Sequence, residues 1–122
     1  MNFKIDTKQK FYVIEPELTQ LTANMAEQLS IKLLQLANTE PYNIIIKLTN
    51  ISNITMEACE ILVNCRDSIN QQNHSMVCCN VTDTVLEQII AFEMEEALNI
   101  TPTESEAWDI VQMDEIEREF DF

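Results

Sequence analysis

Apolar residues along this chain switch repeatedly between two spacings. Phe3 to Ile5 and Phe11 to Ile14 are short β-prone runs with the polar stretch Asp6 to Lys10 between them, the pattern of an opening hairpin that Pro16 stops. From Asn24 the period lengthens. Ala26, Leu29, Leu33, Leu36 and Ala37 keep helical spacing, and Asn24 with Glu27 three residues later resembles a capping box. Asn38 offers the left-handed cap that a glycine would usually supply, and Pro41 blocks continuation. Ile44 to Leu48 is branched and apolar except for Lys47, as expected of a buried strand.

Past the polar loop Thr49 to Asn53, Thr55 is a natural N-cap for a second helix. Ala58, Ile61, Leu62, Cys65 and Ile69 follow at spacings of three and four, and the helix is expected to end near Asn73. Met76 to Cys79 predicts another strand. Thr82 or Asp83 caps a third helix carrying Val85, Leu86, Ile89, Ile90 and Phe92. A short strand at Leu98 to Thr101 precedes Pro102, and Thr103 with Glu106 forms a capping box for a last helix. On that helix Ala107, Ile110, Val111, Met113, Ile116 and Phe120 make a broad stripe expected to dock on the body. Strand and helix alternation predicts an α/β fold, a mostly parallel sheet of four or five strands opened by a hairpin, with about four helices. With neither repeat nor long linker, residues 1–122 read as one domain.

Composition narrows the chemistry. The chain has no glycine, which removes the P-loop and the dinucleotide fingerprint, whose tight phosphate-binding turns need residues without Cβ. One histidine, His74, and no pair of groups spaced for acid-base or nucleophilic work leave no basis for an enzyme. The net charge of −14, with only 7 Lys and Arg, opposes nucleic acid. The longest apolar runs are four residues, whereas a bilayer span needs about 20, so no membrane insertion is expected. The charged N-terminus is unlike a secretory signal and predicts a cytoplasmic location.

The four cysteines invite a metal or disulfide. Cys59 and Cys65, six apart on a helix, lie about 240° apart around its axis and do not converge. Cys78 and Cys79 are strand neighbours that point to opposite faces. No zinc spacing results, so the expectation is free, buried thiols with no metal and no cofactor. Five N-x-Ser/Thr sequons, at Asn50, Asn53, Asn73, Asn80 and Asn99, follow from an asparagine-rich chain and carry no glycan in the cytoplasm. Charge is uneven: residues 83–122 hold 13 acidic and 1 basic group, against 8 acidic and 6 basic before them. That acid is either a solvated helix face or a docking surface for a basic partner.

The order of elements, the central segment IIIKLTNISNITMEAC and the C-terminal PTESEAWDIVQMDEIEREF resemble the STAS domain of anti-sigma factor antagonists over nearly the whole chain. In that family an aliphatic strand bearing an Asp leads through a short loop to Asp-Ser-Ser/Thr-Gly at the start of the second helix. Here Lys47 falls at the first Asp, Thr55 at the second, Met56 at the phosphorylated serine, Glu57 at the Ser/Thr and Ala58 at the glycine, so every signature polar residue differs.

The resemblance implies a non-enzymatic protein-interaction domain in a partner-switching pathway that regulates transcription. There the unmodified domain binds an anti-sigma factor kinase, and serine phosphorylation breaks the complex by bringing nearly two negative charges into a packed contact. Met56 cannot be phosphorylated, so the usual switch is not expected. Thr55 keeps a hydroxyl and is the one phosphorylation candidate, although capping gives it a role already. Glu57 suits the helix dipole. The partner-binding surface implied is Ser52, Asn53, Thr55, Met56 and Glu57. The alternative is a soluble STAS-like accessory subunit of a membrane transporter complex, with a transporter ATPase or permease as partner.

Overall fold

A computed structural model describes residues 2–120. The chain begins with β1 (Phe3–Thr7) and β2 (Tyr12–Pro16), then β3 (Gln20–Leu21), α1 (Ala23–Ala37), β4 (Ile44–Lys47), β5 (Asn53–Ile54) and α2 (Met56–Gln71). It continues through β6 (Met76–Cys79), α3 (Asp83–Ala91), α4 (Glu95–Leu98) and β7 (Ile100–Thr101) to α5 (Glu104–Glu119). The expected hairpin is there: β1 and β2 pair antiparallel, with Phe3 opposite Pro16 and Thr7 opposite Tyr12. The remaining neighbours in the order β1-β2-β4-β6-β7 are parallel.

Period-two alternation divides the core. Tyr12, Ile14, Ile44, Ile46, Met76 and Cys78 point to the face covered by α1, α2 and α3. Phe11, Val13, Ile45, Val77 and Cys79 point to the other, covered by Ala107 and Val111 of α5. Both faces are sealed, which is why β4 could be written as three isoleucines, all with no exposure. Trp108 of α5 stacks on Phe11 with centroids 4.8 Å apart.

The last helix departs from expectation. Only Ala107 and Val111 of its apolar stripe are buried, while Met113, Ile116 and Phe120 are 58%, 54% and 71% exposed. Geometry explains this: a helix of 16 residues runs about 24 Å, whereas β6 has 4 residues and spans about 13 Å. The helix outruns the sheet, and polar bonds hold its second half. Ser75 donates to Asp114 Oδ2 (2.8 Å), Asn43 Nδ2 to Glu115 Oε1 (2.7 Å), and Arg118 to the His74 carbonyl (2.9 Å). Asn43, 4% exposed, also accepts from the Ser75 amide and donates to the Lys10 carbonyl, so one amide ties the starts of β4 and β6 to the hairpin turn.

Several boundaries move. Thr22, not Asn24, is the N-cap residue of α1, and its side chain makes no capping bond. Asn38 at the other end has φ −94° and is not left-handed. Left-handed backbone falls instead on Asn73, Asn80 and Asn99, with Tyr42 and Glu93. Lacking glycine, the chain uses asparagine, whose short side chain tolerates positive φ, after α2, β6 and α4. Three of the five sequon asparagines are thus backbone devices. The expected strand Leu98–Thr101 is shorter, because α4 runs through Leu98 and the turn at Asn99 separates it from β7. Among the described residues the helices number five with α4, and β3 pairs with β5 in a separate two-stranded sheet.

Candidate partner-binding site

The loop between β4 and α2 is short, polar and held from three sides. Its first turn is closed by the Ile51 amide on the Leu48 carbonyl (3.2 Å), which buries both side chains. Ser52 then lies against β3: its amide reaches the Thr19 carbonyl at 2.8 Å and its hydroxyl donates to the same oxygen at 3.2 Å. The Thr55 amide bonds to the Leu21 carbonyl at 3.1 Å. From α3, Gln88 accepts from the Ile54 amide (2.9 Å) and donates to Asn53 Oδ1 (2.6 Å), while the Thr82 hydroxyl donates to the Ile51 carbonyl (3.1 Å). Backbone polarity that would otherwise need water is thus satisfied within the protein, and the loop has one defined shape.

The helix that follows starts as the sequence predicts. Thr55 Oγ1 accepts from the Ala58 amide at 3.2 Å, and Glu57 lies in the first turn, where a carboxylate opposes the positive end of the helix dipole. Ala58 and Cys59 turn inward; Met56, 44% exposed, and Glu57 turn outward. Helical geometry leaves the first amides of α2 without intrahelical acceptors, and they emerge beside these two side chains.

The proposed surface residues therefore differ in kind. Ser52, Met56 and Glu57 are exposed, whereas Asn53 is half-buried with its amide committed to Gln88, and Thr55 is half-buried as the cap. Gln88, Thr19 and Thr82 were not legible as parts of this site, because each reaches it from about thirty residues away in sequence. Only Thr82 carried a signal, as the cap of α3, where it accepts from the Val85 amide.

At the sheet end nearby, Lys47 pairs with Glu104 of α5 at 3.7 Å, and Asn50 donates to Glu15 at 3.3 Å. A basic residue thus stands where the resemblance places an acid. The four cysteines are free and buried. Burial above all raises their pKa values, to about 11 for Cys59 and about 12 for Cys78 and Cys79, with Glu104 adding to the effect at Cys79. Cys65 meets Ser30 of α1, and Cys78 and Cys79 face opposite sides of the sheet. Among the described residues no group of three His, Cys, Asp or Glu side chains could hold a metal ion, and no helix is long and apolar enough to cross a membrane.

A hairpin-opened parallel sheet, one helix alone on one face and a braced loop delivering the chain to an exposed helix start define the class of domain. The STAS domain model matches residues 3–107, and the chain belongs to that family. It is similar in structure to an anti-sigma-factor antagonist (STAS) domain protein from Planctomyces limnophilus, at 18% identity over 90% of this chain and 97% of that one, with a TM-score of 0.75. The phosphorylated form of the Bacillus cell fate determinant SpoIIAA matches at 17% identity over 90% and 99% of the two chains, TM-score 0.64. The murine anion transporter Slc26a9 matches at 13% identity, TM-score 0.71, over 88% of this chain but 18% of the transporter. No curated protein sequence matches the chain.

Proposed function

We propose that this chain is a single non-enzymatic interaction domain of the anti-sigma factor antagonist type, acting in the cytoplasm in a partner-switching pathway that regulates transcription. Its partner is a protein such as an anti-sigma factor kinase, docked on Ser52, Met56 and Glu57, with Asn53 and Thr55 shaping the surface beneath. The observation that carries this reading is the hydrogen-bonded, exposed start of α2, with Met56 outward where the family places its serine.

A contact built on Met56 has no hydroxyl to modify, so binding is governed by partner concentration and not by a phosphate. Thr55 is a poor substitute acceptor because its oxygen is engaged with the Ala58 amide and phosphorylation would remove the cap. The likeness to Slc26a9 supports a second reading, an accessory domain docked on a membrane transporter.

One experiment tests both. A photo-crosslinking amino acid placed at Met56 is expected to trap one protein in the source cells, and a control at Ile31, exposed on α1, is not. Capture of a kinase of the anti-sigma type supports the first reading, and capture of a transporter subunit supports the second. The absence of any Met56-specific adduct overturns α2 as the docking surface. In parallel, intact-mass spectrometry after incubation with such a kinase and ATP is expected to show no stoichiometric phosphate at residues 52–58. A full shift mapped to Ser52 or Thr55 would refute the claim of a missing switch.

A further inference from the structure

A second surface lies on the opposite flank of α3. Gln88 faces the α2 loop; Leu86, about 200° away around the helix, lines a groove of about 720 Å³ between α3, α4 and β7. Val81, Ile100 and Pro102 complete its apolar lining, and Ile90, one turn beyond Leu86 and 45% exposed, continues that line along α3. Asp83, Glu95 and Glu96 supply three carboxylates to the same groove.

The groove also borders an open sheet edge. In the ladder between β6 and β7 the Cys78 amide bonds to the Asn99 carbonyl, so strand alternation turns the N–H and C=O of Ile100 away from β6. Among the described residues β7 is the last strand of the sheet and pairs only with β6. An unpaired edge beside apolar side chains suits an added extended segment, whose backbone bonds to the outward N–H and C=O of Ile100 while alternate side chains enter the groove. The charge selects the segment: a lining with three carboxylates and no lysine or arginine favours cations and repels acidic peptides.

From this combination of groove, open edge and charge we propose that β7 and α3 dock an extended segment of a partner protein carrying lysine or arginine alternating with aliphatic residues. This surface is independent of the α2 contact, since the two lie on opposite flanks of α3.

The test is a ¹⁵N–¹H correlation titration of the full chain with a capped heptapeptide alternating lysine with valine, beside the same peptide with glutamate for lysine. Saturable shifts are expected at residues 81–86 and 95–101 with the lysine peptide and none with the glutamate peptide. Asp83→Asn, Glu95→Gln and Glu96→Gln together are expected to weaken binding roughly tenfold, and raising salt to act in the same direction. All three side chains are at the surface, and the unperturbed remainder of the spectrum reports that the variant is folded. Met56→Lys with Glu57→Lys, which disables the α2 surface, is expected to leave this titration unchanged. No saturable shift, shifts scattered over the acidic surface or centred on residues 52–57, or equal binding by the neutralised variant would each overturn the proposal.

Discussion

Replacing Gln88 with leucine isolates the contribution of long-range bracing to the docking loop. The substitution nearly preserves volume on α3 but deletes both of its hydrogen bonds, to the Ile54 amide at 2.9 Å and to Asn53 Oδ1 at 2.6 Å. Ile54 is 2% exposed, so its amide cannot readily turn to water. An orphaned buried donor costs about 1–3 kcal/mol, and about 2 kcal/mol is the value expected here because Asn53 remains partly accessible. With a urea slope near 1.5 kcal/mol/M, that is a fall of roughly 1.3 M in the unfolding midpoint. Gln88→Glu is expected to cost less, because a carboxylate oxygen still accepts from Ile54 even though the donor to Asn53 is lost. Equilibrium urea unfolding followed by the single tryptophan gives the midpoints, and amide exchange at Ile54 and Thr55 gives the local effect, which should accelerate in the leucine variant. A midpoint shift below about 0.3 M with unchanged exchange at Ile54 would refute the view that α3 holds the loop in place.

Thr55→Ala should cost about 1 kcal/mol through loss of the cap on Ala58, whereas Thr55→Ser should be nearly neutral; a thermal shift distinguishes them at roughly 4 °C per kcal/mol. The native thiols should resist a thiol reagent at pH 8, with four reacting after denaturation, since all are buried with pKa values held above the ordinary 9.0. Because the unfolded chain would ionise these thiols first, the stability they contribute is present below about pH 9 and lost as pH rises from there towards 12, which alkaline unfolding curves can measure. His74, stacked on Tyr42 at 4.6 Å, has its pKa lowered from 6.5 first by burial and then by Arg118. The unfolded chain therefore binds that proton more readily, and the stability involved is present above about pH 6.5 and lost as pH falls through the native value. Proton NMR titration of this single histidine should give a midpoint below 6.5, and Arg118→Gln should raise it; an unshifted midpoint in the native protein would contradict this environment.

Features written within about four residues were legible before any folding was known. Thr55, Thr82 and Thr103 each cap the helix expected of them, because a cap needs only a hydroxyl and an amide three positions on. The all-apolar Ile44–Ile46 marked a strand covered on both faces, because alternation on a two-sided sheet removes every polar position. The departures at Lys47, Met56 and Ala58 from the family pattern were equally legible, being residue identities at counted positions.

Other features depend on where distant segments meet and emerge only from the folded chain. Strands of two residues, β3 and β5, carry no periodicity and exist because the chain brings Leu21 beside Ile54. Gln88 looked like any polar helix position until the fold set it against an amide 34 residues away. The stripe on α5 is expected from its spacing to dock on the body, yet helical spacing shows which residues share a side but not where the sheet beneath them ends. Beyond that end, Met113, Ile116 and Phe120 remain exposed, and the hydrogen bonds of Ser75, Asn43 and Arg118 hold the helix where apolar contact no longer can.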